Sequence, residues 1–231
     1  MTAGPAIRVG LVIVAAGSGT RLGHDHPKAF VRLGGRSLLA HALDRLAPAA
    51  HEVVVVGPPE HMAETGVQVE RSGTTARIVP GGLTRTGSVA AGISALGTVD
   101  VIAVHDAARP LVDAAALRRA VAAVVGGADA SAPALPVTDT LKEVADGEVV
   151  TRTVDRSALR AVQTPQVFRA DVLRAAHARG DDATDDLALV EAGGGTVVLV
   201  PGRARYLKVT YPDDLLLAEA FLAAGEPEEP E

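Results

Sequence analysis

The sequence predicts an α/β fold in which a mainly parallel sheet is covered by helices on both faces. Short β-branched runs alternate with longer Ala- and Leu-rich segments along the 231 residues. Within the short runs the apolar residues are continuous rather than alternating, which is typical of strands buried on both faces. Strand–helix alternation of this kind indicates a parallel sheet with helices packed on each side.

The elements follow one another in a regular order. Strands are predicted at Val9–Ala15, Glu52–Val56, Val99–His105 and Thr196–Pro201. Helices are predicted at Ser37–Leu46, Arg85–Leu96, Asp113–Val125, Ala170–Arg179, Thr184–Ala192 and Pro212–Ala224. Asp113 is a suitable N-cap and Pro212 suits a first helical turn. Because ligands bind at the carboxyl ends of strands in such sheets, three loops are candidate site loops. They are Ala16–Lys28, Gly81–Ser88 and Asp106–Pro110.

The segment from about 136 to 160 departs from this order. Thr138–Val144 and Glu148–Val154 are rich in β-forming residues and flank a turn at Ala145–Gly147. An Asp-Gly turn between two such runs predicts a hairpin. Because an isolated hairpin is marginally stable in water, we expect this arm to pack on something else, and a second subunit is an attractive candidate.

Composition excludes several classes of protein. Aromatic residues are 2% of the chain and the formal net charge is −6, so neither stacking platforms nor a basic footprint for nucleic acid or an anionic membrane is present. Without Cys, disulfides and thiolate chemistry are excluded. No signal peptide or membrane span is evident, so we expect a cytoplasmic protein. Residues 1–225 are predicted to form one domain and residues 226–231 a disordered acidic tail.

The first candidate loop has the composition of a polyphosphate site. Small residues at Ala15–Gly19 let the backbone close around a ligand, and the cations Arg21 and Lys28 follow. A dinucleotide fingerprint fits poorly, because Leu22 stands where its third Gly should be and no acidic residue follows at the required distance. A Walker loop is excluded because Gly-Lys-Ser/Thr is absent. The simple alternative, a crowded strand–helix turn, leaves the two cations unexplained.

Several ordered motifs together resemble a known family. The loop resembles the nucleotide-binding signature of nucleotidyltransferases, especially cytidylyltransferases that activate sugar and polyol phosphates. The further motifs resemble the 2-C-methyl-D-erythritol 4-phosphate cytidylyltransferase family of the non-mevalonate isoprenoid pathway, from about Val9 to Leu222. The motifs that carry the resemblance are Ala15–Leu22, Pro27–Phe30, Gly81–Val89, Val104–Pro110, Thr153–Arg156, Gln163–Gln166, Thr184–Asp186 and Leu207–Thr210.

The resemblance implies a fold, a reaction and a cofactor. The fold would be a Rossmann-like sheet of the nucleotide-diphospho-sugar transferase type with a protruding hairpin arm. The reaction would transfer the cytidylyl group of CTP to methylerythritol phosphate and release pyrophosphate. Mg²⁺ would be held mainly by the CTP phosphates, with no direct protein ligand. A ribitol-5-phosphate cytidylyltransferase and a catalytically silent nucleotide-binding protein remain alternatives.

The resemblance also implies roles for individual residues. Arg21 and Lys28 would grip the triphosphate, while Ala15, Ala16, Gly17, Ser18 and Gly19 would supply backbone contacts. Gly82, Arg85 and Ser88 would lie at the cytosine and ribose end, and Asp106 and Ala107 would contact the ribose. Arg156, Thr164, Thr184 and Lys208 would serve the acceptor. In the family the arm interlocks with a partner subunit, so Arg156 would act in the partner's site of a homodimer. Arg85, Ser88 and Asp106 could instead be helix-surface or capping residues.

Overall fold

The fold is built on one eight-stranded sheet, and the computed structural model describes residues 6–17, 19 and 26–225. The strands are β1 (Val9–Val14), β2 (Arg32–Leu33), β3 (Arg36–Ser37), β4 (Glu52–Gly57), β5 (Arg77–Pro80), β6 (Val101–Asp106), β7 (Ala130–Pro136), β8 (Leu141–Ala145), β9 (Val149–Val154), β10 (Arg160–Val162), β11 (Gln166–Arg169) and β12 (Val197–Pro201). The helices are α1 (Leu38–Leu46), α2 (Met62–Arg71), α3 (Arg85–Ala95), α4 (Ala114–Val125), α5 (Ala170–Ala178), α6 (Asp186–Ala192) and α7 (Pro212–Ala223).

The main sheet runs in the order β10-β7-β11-β6-β1-β4-β5, with β12 paired to β7. β1 pairs in parallel with β4 and β6, β4 with β5, and β12 with β7. Only β10 and β11 pair antiparallel to their neighbours in this sheet, among the residues described. The carboxyl ends of β1, β5 and β6 therefore meet at one edge, as the predicted parallel sheet requires.

Apolar side chains fill both faces of the sheet. Leu11 and Ile13 point to the face covered by α1 and α4, whereas Val12 between them points to the face covered by α3, α5 and α6. This alternation follows from the two-residue period of a strand. All three residues are fully buried, and each such side chain contributes roughly 1.5–3 kcal/mol by its burial. The predicted double burial of these strands is confirmed.

Helix α3 lies unusually close to the sheet at Gly92. A Cβ atom at this position would collide with Val12 and would lie 2.9 Å from Cγ2 of Val56. The helix begins at an N-cap, Thr84, whose hydroxyl accepts a hydrogen bond from the Gly87 amide at 3.0 Å. The same helix carries Arg85 at its first position, so its distance from the sheet sets where that side chain can reach.

The predicted elements agree with the structure to within a few residues, and seven others among the described residues went unpredicted, including the two-residue strands β2 and β3. Asp113 caps α4 as expected, accepting a hydrogen bond from the Ala116 amide at 2.8 Å. The unpredicted elements of the sheet and its cover are α2, β5, β7, β10 and β11. β7 has the sequence ASAPALP, in which Pro133 and small residues replace the β-branched run that marks a strand. Its strand conformation therefore depends on its neighbours in the sheet.

The predicted hairpin is confirmed as the pair β8 and β9. These strands pair with each other and form a separate two-stranded sheet. The turn at Asp146–Glu148 contains Gly147 with φ +74°, a conformation that favours glycine. Val149 and Val150 are 62% and 54% exposed, so the arm leaves apolar surface uncovered on this chain.

Candidate active site

A cleft of about 490 Å³ opens past the carboxyl ends of β1, β5 and β6. Residues of all three predicted site loops line it, so the predicted position of a ligand site coincides with a real cavity. The predicted site residues that line it are Ala15, Ala16, Gly17, Gly19, Lys28, Gly82, Arg85, Ser88, Asp106, Ala107 and Lys208. Ser18 and Arg21 lie outside the described residues.

The first loop is held by a backbone hydrogen bond where it leaves β1 and by close packing of Gly19 against Lys28. The Ala15 amide donates to the Val56 carbonyl at 2.8 Å, which extends the pairing of β1 with β4. Further along, Gly19 has φ +69°, and a Cβ atom there would lie 2.5 Å from Cβ of Lys28. Only glycine meets both conditions. Lys28 begins a short 3₁₀ helix directly after Pro27, whose ring limits the backbone at that point.

Ser88 stabilises the second loop from within α3. Its hydroxyl accepts a hydrogen bond from the Gly82 amide at 3.1 Å and donates to the Thr84 carbonyl at 2.9 Å. The side chain is almost fully buried. The predicted ligand contact of Ser88 would therefore compete with two bonds that already hold the loop, and the geometry favours a role in shaping it.

Opposite charges alternate from the cleft into the protein. Lys208 Nζ lies 2.7 Å from Asp106 Oδ2, and Arg85 lies 3.8 Å from the other oxygen of Asp106. Arg85 also donates to Asp186 at 2.8 Å. Asp186 is buried and its second oxygen lies 2.9 Å from Nε2 of His177. Pairing on both sides offsets the cost of burying these charges.

The pairing keeps the central groups ionised. Burial raises the pKa of Asp106, but the combined effect of Lys208 and Arg85 is larger and lowers the pKa to about 2. Burial lowers the pKa of Arg85, and the carboxylates of Asp186 and Asp106 outweigh that effect and raise it. At neutral pH the cleft therefore presents a carboxylate held between two cations.

His105 and Thr164 lie directly beneath Asp106 and do not line the cleft. Thr164 Oγ1 lies 3.0 Å from His105 Nδ1 and accepts from the Asp106 amide at 3.2 Å. His105 Nε2 lies 3.2 Å from the Arg109 carbonyl. Burial lowers the pKa of His105 to about 4. Thr164, predicted as an acceptor contact, is thus buried with its hydroxyl engaged below the cleft floor.

Arg109 ties together the segments around the cleft. Its guanidinium donates to the Tyr206 carbonyl at 2.7 Å and to the Val162 carbonyl at 3.5 Å. The Val209 amide donates to the Ala108 carbonyl at 2.9 Å, next to Lys208. Arg109 therefore holds the chain that carries Lys208 against the end of β6.

Besides Thr164, two other predicted acceptor residues do not line this chain's cleft. Arg156 is exposed after β9, and Thr184 is exposed just before α6. Sequence reasoning missed Asp186 and His177, although the motif that contains Thr184 also contains Asp186. The sequence did contain a signal for Asp186, because two consecutive carboxylates stand at a predicted helix start. Asp185 caps α6, which leaves Asp186 to enter the core.

Metal ligands are sparse in the part of the chain that the structure describes. Within it, no three His, Cys, Asp or Glu side chains are grouped to hold a metal ion. Asp106 is the carboxylate that lines the cleft, and it is already paired with Lys208 and Arg85. No described helix is both long enough and apolar enough to cross a membrane.

Comparison with known sequences covers nearly the whole chain. The model of the family IspD, 2-C-methyl-D-erythritol 4-phosphate cytidylyltransferase, matches residues 9–224. The 2-C-methyl-D-erythritol 4-phosphate cytidylyltransferase of Nocardia farcinica is 46% identical over 91% of this chain and 92% of its own length. A bifunctional enzyme IspD/IspF of Clavibacter michiganensis is 49% identical over 96% of this chain, which spans 56% of that longer protein.

Solved structures agree in fold. The 2-C-methyl-D-erythritol 4-phosphate cytidylyltransferase of Thermus thermophilus is 40% identical, with a TM-score of 0.75 over 92% of this chain and 98% of its own. The 4-diphosphocytidyl-2C-methyl-D-erythritol synthase of Anaerococcus prevotii is 26% identical, with a TM-score of 0.81 over 94% of this chain and 99% of its own. With its cleft at the carboxyl ends of β1, β5 and β6, this chain belongs to the 2-C-methyl-D-erythritol 4-phosphate cytidylyltransferase family of nucleotidyltransferase enzymes.

Proposed function

We propose that this enzyme transfers the cytidylyl group of CTP to 2-C-methyl-D-erythritol 4-phosphate, a step of non-mevalonate isoprenoid biosynthesis. The observation that carries the proposal is the cleft itself, in which Lys28 stands beside the glycine loop and Lys208 stands beside Asp106. Two cations on different loops can hold two phosphate groups close together despite their repulsion. Family membership names the substrates.

In the proposed reaction an oxygen of the acceptor phosphate attacks the α-phosphorus of CTP. The new P–O bond forms as the bond from the α-phosphorus to the bridging oxygen breaks, and pyrophosphate leaves with that oxygen. No protein nucleophile is required, so catalysis consists of positioning and charge stabilisation. Lys28, with Arg21, would stabilise charge on the triphosphate, whereas Lys208 would hold the acceptor phosphate.

The nucleoside part of CTP would lie toward the second and third loops. The backbone of Ala15–Gly19 and of Gly82 would contact phosphate and base, and Asp106 and Ala107 would contact the ribose. Arg85 is held by Asp186 at 2.8 Å, so it would act from a fixed position rather than swing onto the ligand.

Mg²⁺ fits this cleft when the nucleotide supplies most of its ligands. The carboxylate of Asp106 is one hard oxygen donor near the proposed phosphates, and hard cations of this kind usually keep several waters. Asp106 would therefore orient water around the ion. When bound, Mg²⁺ would neutralise charge on the phosphate oxygens.

We also propose a homodimer in which the arm completes the acceptor site of the partner. Arg156 is exposed at the end of β9 and does not line the cleft of its own chain. The arm carries uncovered Val149 and Val150 on a hairpin whose strands pair with no other strand in the described part of the chain. The charged substrates do not cross bilayers unaided, so we propose that the enzyme acts in the cytoplasm.

One assay tests the reaction. The protein is incubated with CTP, Mg²⁺ and either 2-C-methyl-D-erythritol 4-phosphate or ribitol 5-phosphate, and pyrophosphate release is followed. We expect release with the first acceptor. Release only with ribitol 5-phosphate would establish the alternative acceptor, and no release with either, despite CTP binding, would indicate a catalytically silent nucleotide-binding protein.

Mixed subunits test the shared site. An Arg156→Ala protein and a Lys28→Ala protein should each be nearly inactive alone. After mixing and exchange of subunits, half of the sites in a mixed dimer would combine an intact Lys28 with the partner subunit's intact arginine, so activity should return. Absence of recovery in dimers shown to have exchanged would argue against action in trans.

The uncovered surface of the arm gives a separate test of the dimer. Val149→Asp should raise the dissociation constant of the dimer about tenfold, as measured by sedimentation velocity.

A further inference from the structure

The floor of the cleft contains a buried histidine to which neither the sequence motifs nor the proposed reaction assigns a role. His105 is fully buried at the penultimate position of β6. Its ring contacts two polar groups, the Thr164 hydroxyl at Nδ1 and the Arg109 carbonyl at Nε2. Both groups belong to the immediate surroundings of Asp106, so the ring can influence where that carboxylate stands.

The partners allow one arrangement of protons. A carbonyl oxygen only accepts, so Nε2 must carry the proton and donate to Arg109. Burial keeps the ring neutral at pH 7, with a pKa of about 4, which leaves Nδ1 as an acceptor. Thr164 accepts from the Asp106 amide, and its own proton is then directed to Nδ1.

These bonds hold both ends of the turn that follows β6. The Arg109 amide donates to the Asp106 carbonyl at 2.9 Å and so closes the turn. His105 holds Arg109, at the far end of the turn, directly through the Arg109 carbonyl. It holds Asp106, at the near end, through Thr164 and the Asp106 amide. The carboxylate of Asp106 is thereby presented to Lys208 at 2.7 Å and to Arg85 at 3.8 Å.

We infer that His105 is a positioning residue, which acts through Thr164 to hold Asp106 where it orients Lys208 for the acceptor phosphate. The catalytic part of this inference rests on the proposed function, whereas the hydrogen-bond relay stands on the geometry. A small error in the position of charged groups is costly in phosphoryl transfer, because the reaction depends on alignment.

Thr164 provides the sharper variants. Thr164→Val keeps the shape but removes both hydrogen bonds, and we expect kcat/KM for the acceptor to fall at least tenfold in a folded protein. Thr164→Ser retains the hydroxyl and should restore most of the loss. Adding His105→Leu to Thr164→Val should cost less than a further twofold, since the relay is already broken. Full additivity of the two losses, or a wild-type kcat/KM for folded Thr164→Val, would overturn the inference.

His41 is the matched control. It is also buried, and its Nε2 also lies at hydrogen-bond distance from a backbone carbonyl, that of Leu33 at 2.8 Å. His41→Leu should lower the thermal midpoint and leave kcat/KM of the folded enzyme within twofold of wild type. If His41→Leu lowered kcat/KM as much as His105→Leu, the effect would be general destabilisation and the positioning role would be lost.

Two measurements remain informative even if the wild-type protein releases no pyrophosphate. Nitrogen-15 NMR of the imidazoles at pH 7 should show His105 neutral with the proton on Nε2, and a ring protonated on Nδ1 would refute the relay. Exchange of the Asp106 amide with deuterium should accelerate at least tenfold in Thr164→Val but not in Thr164→Ser. Unchanged exchange in Thr164→Val would break the proposed connection between Thr164 and Asp106.

Discussion

The floor of the cleft and the hairpin arm are built in contrasting ways. At the floor, Lys208 and Arg85 hold Asp106 between them, and Thr164 holds the Asp106 amide from below. On the arm, β8 and β9 pair only with each other among the described residues, and every residue of the two strands except Val154 is exposed. The floor is preorganised by its own chain, whereas the arm has surface that only another molecule can cover. Changes at the floor should therefore impair the chemical step, and changes on the arm should impair dimer formation and the proposed acceptor site of the partner.

The largest effect is expected at Lys28, which lines the same cleft beside the glycine loop. Lys28→Ala should lower kcat about a thousandfold, or about 4 kcal/mol, because a cation that stabilises transition-state charge is lost. The arm provides the matched control, Lys142→Ala, which removes an exposed ammonium bonded to Thr153 at 2.6 Å. Steady-state pyrophosphate release should show Lys142→Ala within twofold of wild type. A similar loss in both variants would remove the contrast between the two regions.

The arm should show its importance at one residue. Arg156→Ala should lower kcat/KM for the acceptor about a hundredfold, the scale of one lost charge-assisted contact to phosphate, and should leave CTP affinity within threefold. Arg152, whose guanidinium pairs with Glu143 at 2.8 Å, is the control and should be dispensable. Acceptor kinetics and calorimetric CTP titration separate the two effects. If Arg156→Ala weakened CTP binding instead, this arginine would contact the nucleotide and its assignment to the acceptor would be wrong.

The floor should also give stability a pH dependence. The pKa of His105 is about 4 in the folded protein against 6.5 for the ordinary side chain. As the pH falls, His105 of the unfolded chain therefore binds a proton before His105 of the folded protein does. The stability associated with the neutral His105 ring is present above pH 6.5 and is lost as the pH falls to 4. The loss is about 3 kcal/mol. Urea unfolding from pH 7 to 4 should show it, and His105→Asn should abolish this part of the slope.

Asp106 adds a second, more acidic step. Its pKa is about 2 when folded and 3.8 ordinarily, so its stabilising effect is present above about pH 4 and is lost as the pH falls toward 2. For the His105 step, the contradicting result would be a His105→Asn protein whose stability still fell between pH 7 and 4 as steeply as that of the wild type. Other titrating groups would then be responsible for the fall.

The smallest of these effects lies at the inner end of the charge chain. Asp186→Asn keeps the shape but weakens the hold on Arg85, and kcat/KM should fall about tenfold. Asp181→Asn is the control, since Asp181 is 60% exposed and pairs loosely with Arg179 at 3.4 Å. Pyrophosphate release and thermal midpoints of both proteins decide the matter. Equal kcat/KM values for the two variants would show that Arg85 does not depend on Asp186.

The sequence predicts the site loops well because they follow strands of the clearest type. β1 and the first four residues of β6 are continuous apolar runs, Gly19 and Lys28 follow β1, and Asp106 ends β6. The supporting groups could not be predicted in the same way. Asp186 and His177 come from α6 and α5, and their meeting with Arg85 depends on how those helices pack on the sheet. No local pattern contains that information.

The unpredicted strands have a related cause. β11 lies between β6 and β7 and pairs antiparallel to both, although only four residues, Gln166–Arg169, form it. Four residues are too few to show a strand pattern, so its strand conformation can be recognised only from its pairing with two neighbours. The roles of all the predicted site residues stay predictions, and Arg156 and Thr184 in addition lie outside the cleft of a single chain.

Gly92 gives the enzyme a vulnerable point with no chemistry of its own. Because the smallest side chain would already meet Val12 and Val56, an alanine there must displace those side chains or lift α3 away from the sheet. Thr84, Arg85 and Ser88 would travel with the helix and widen the second loop relative to the first. The spacing between two loops that line the cleft thus depends on a missing methyl group, and a family member could alter the width of its cleft through this position while every residue lining the cleft remained the same.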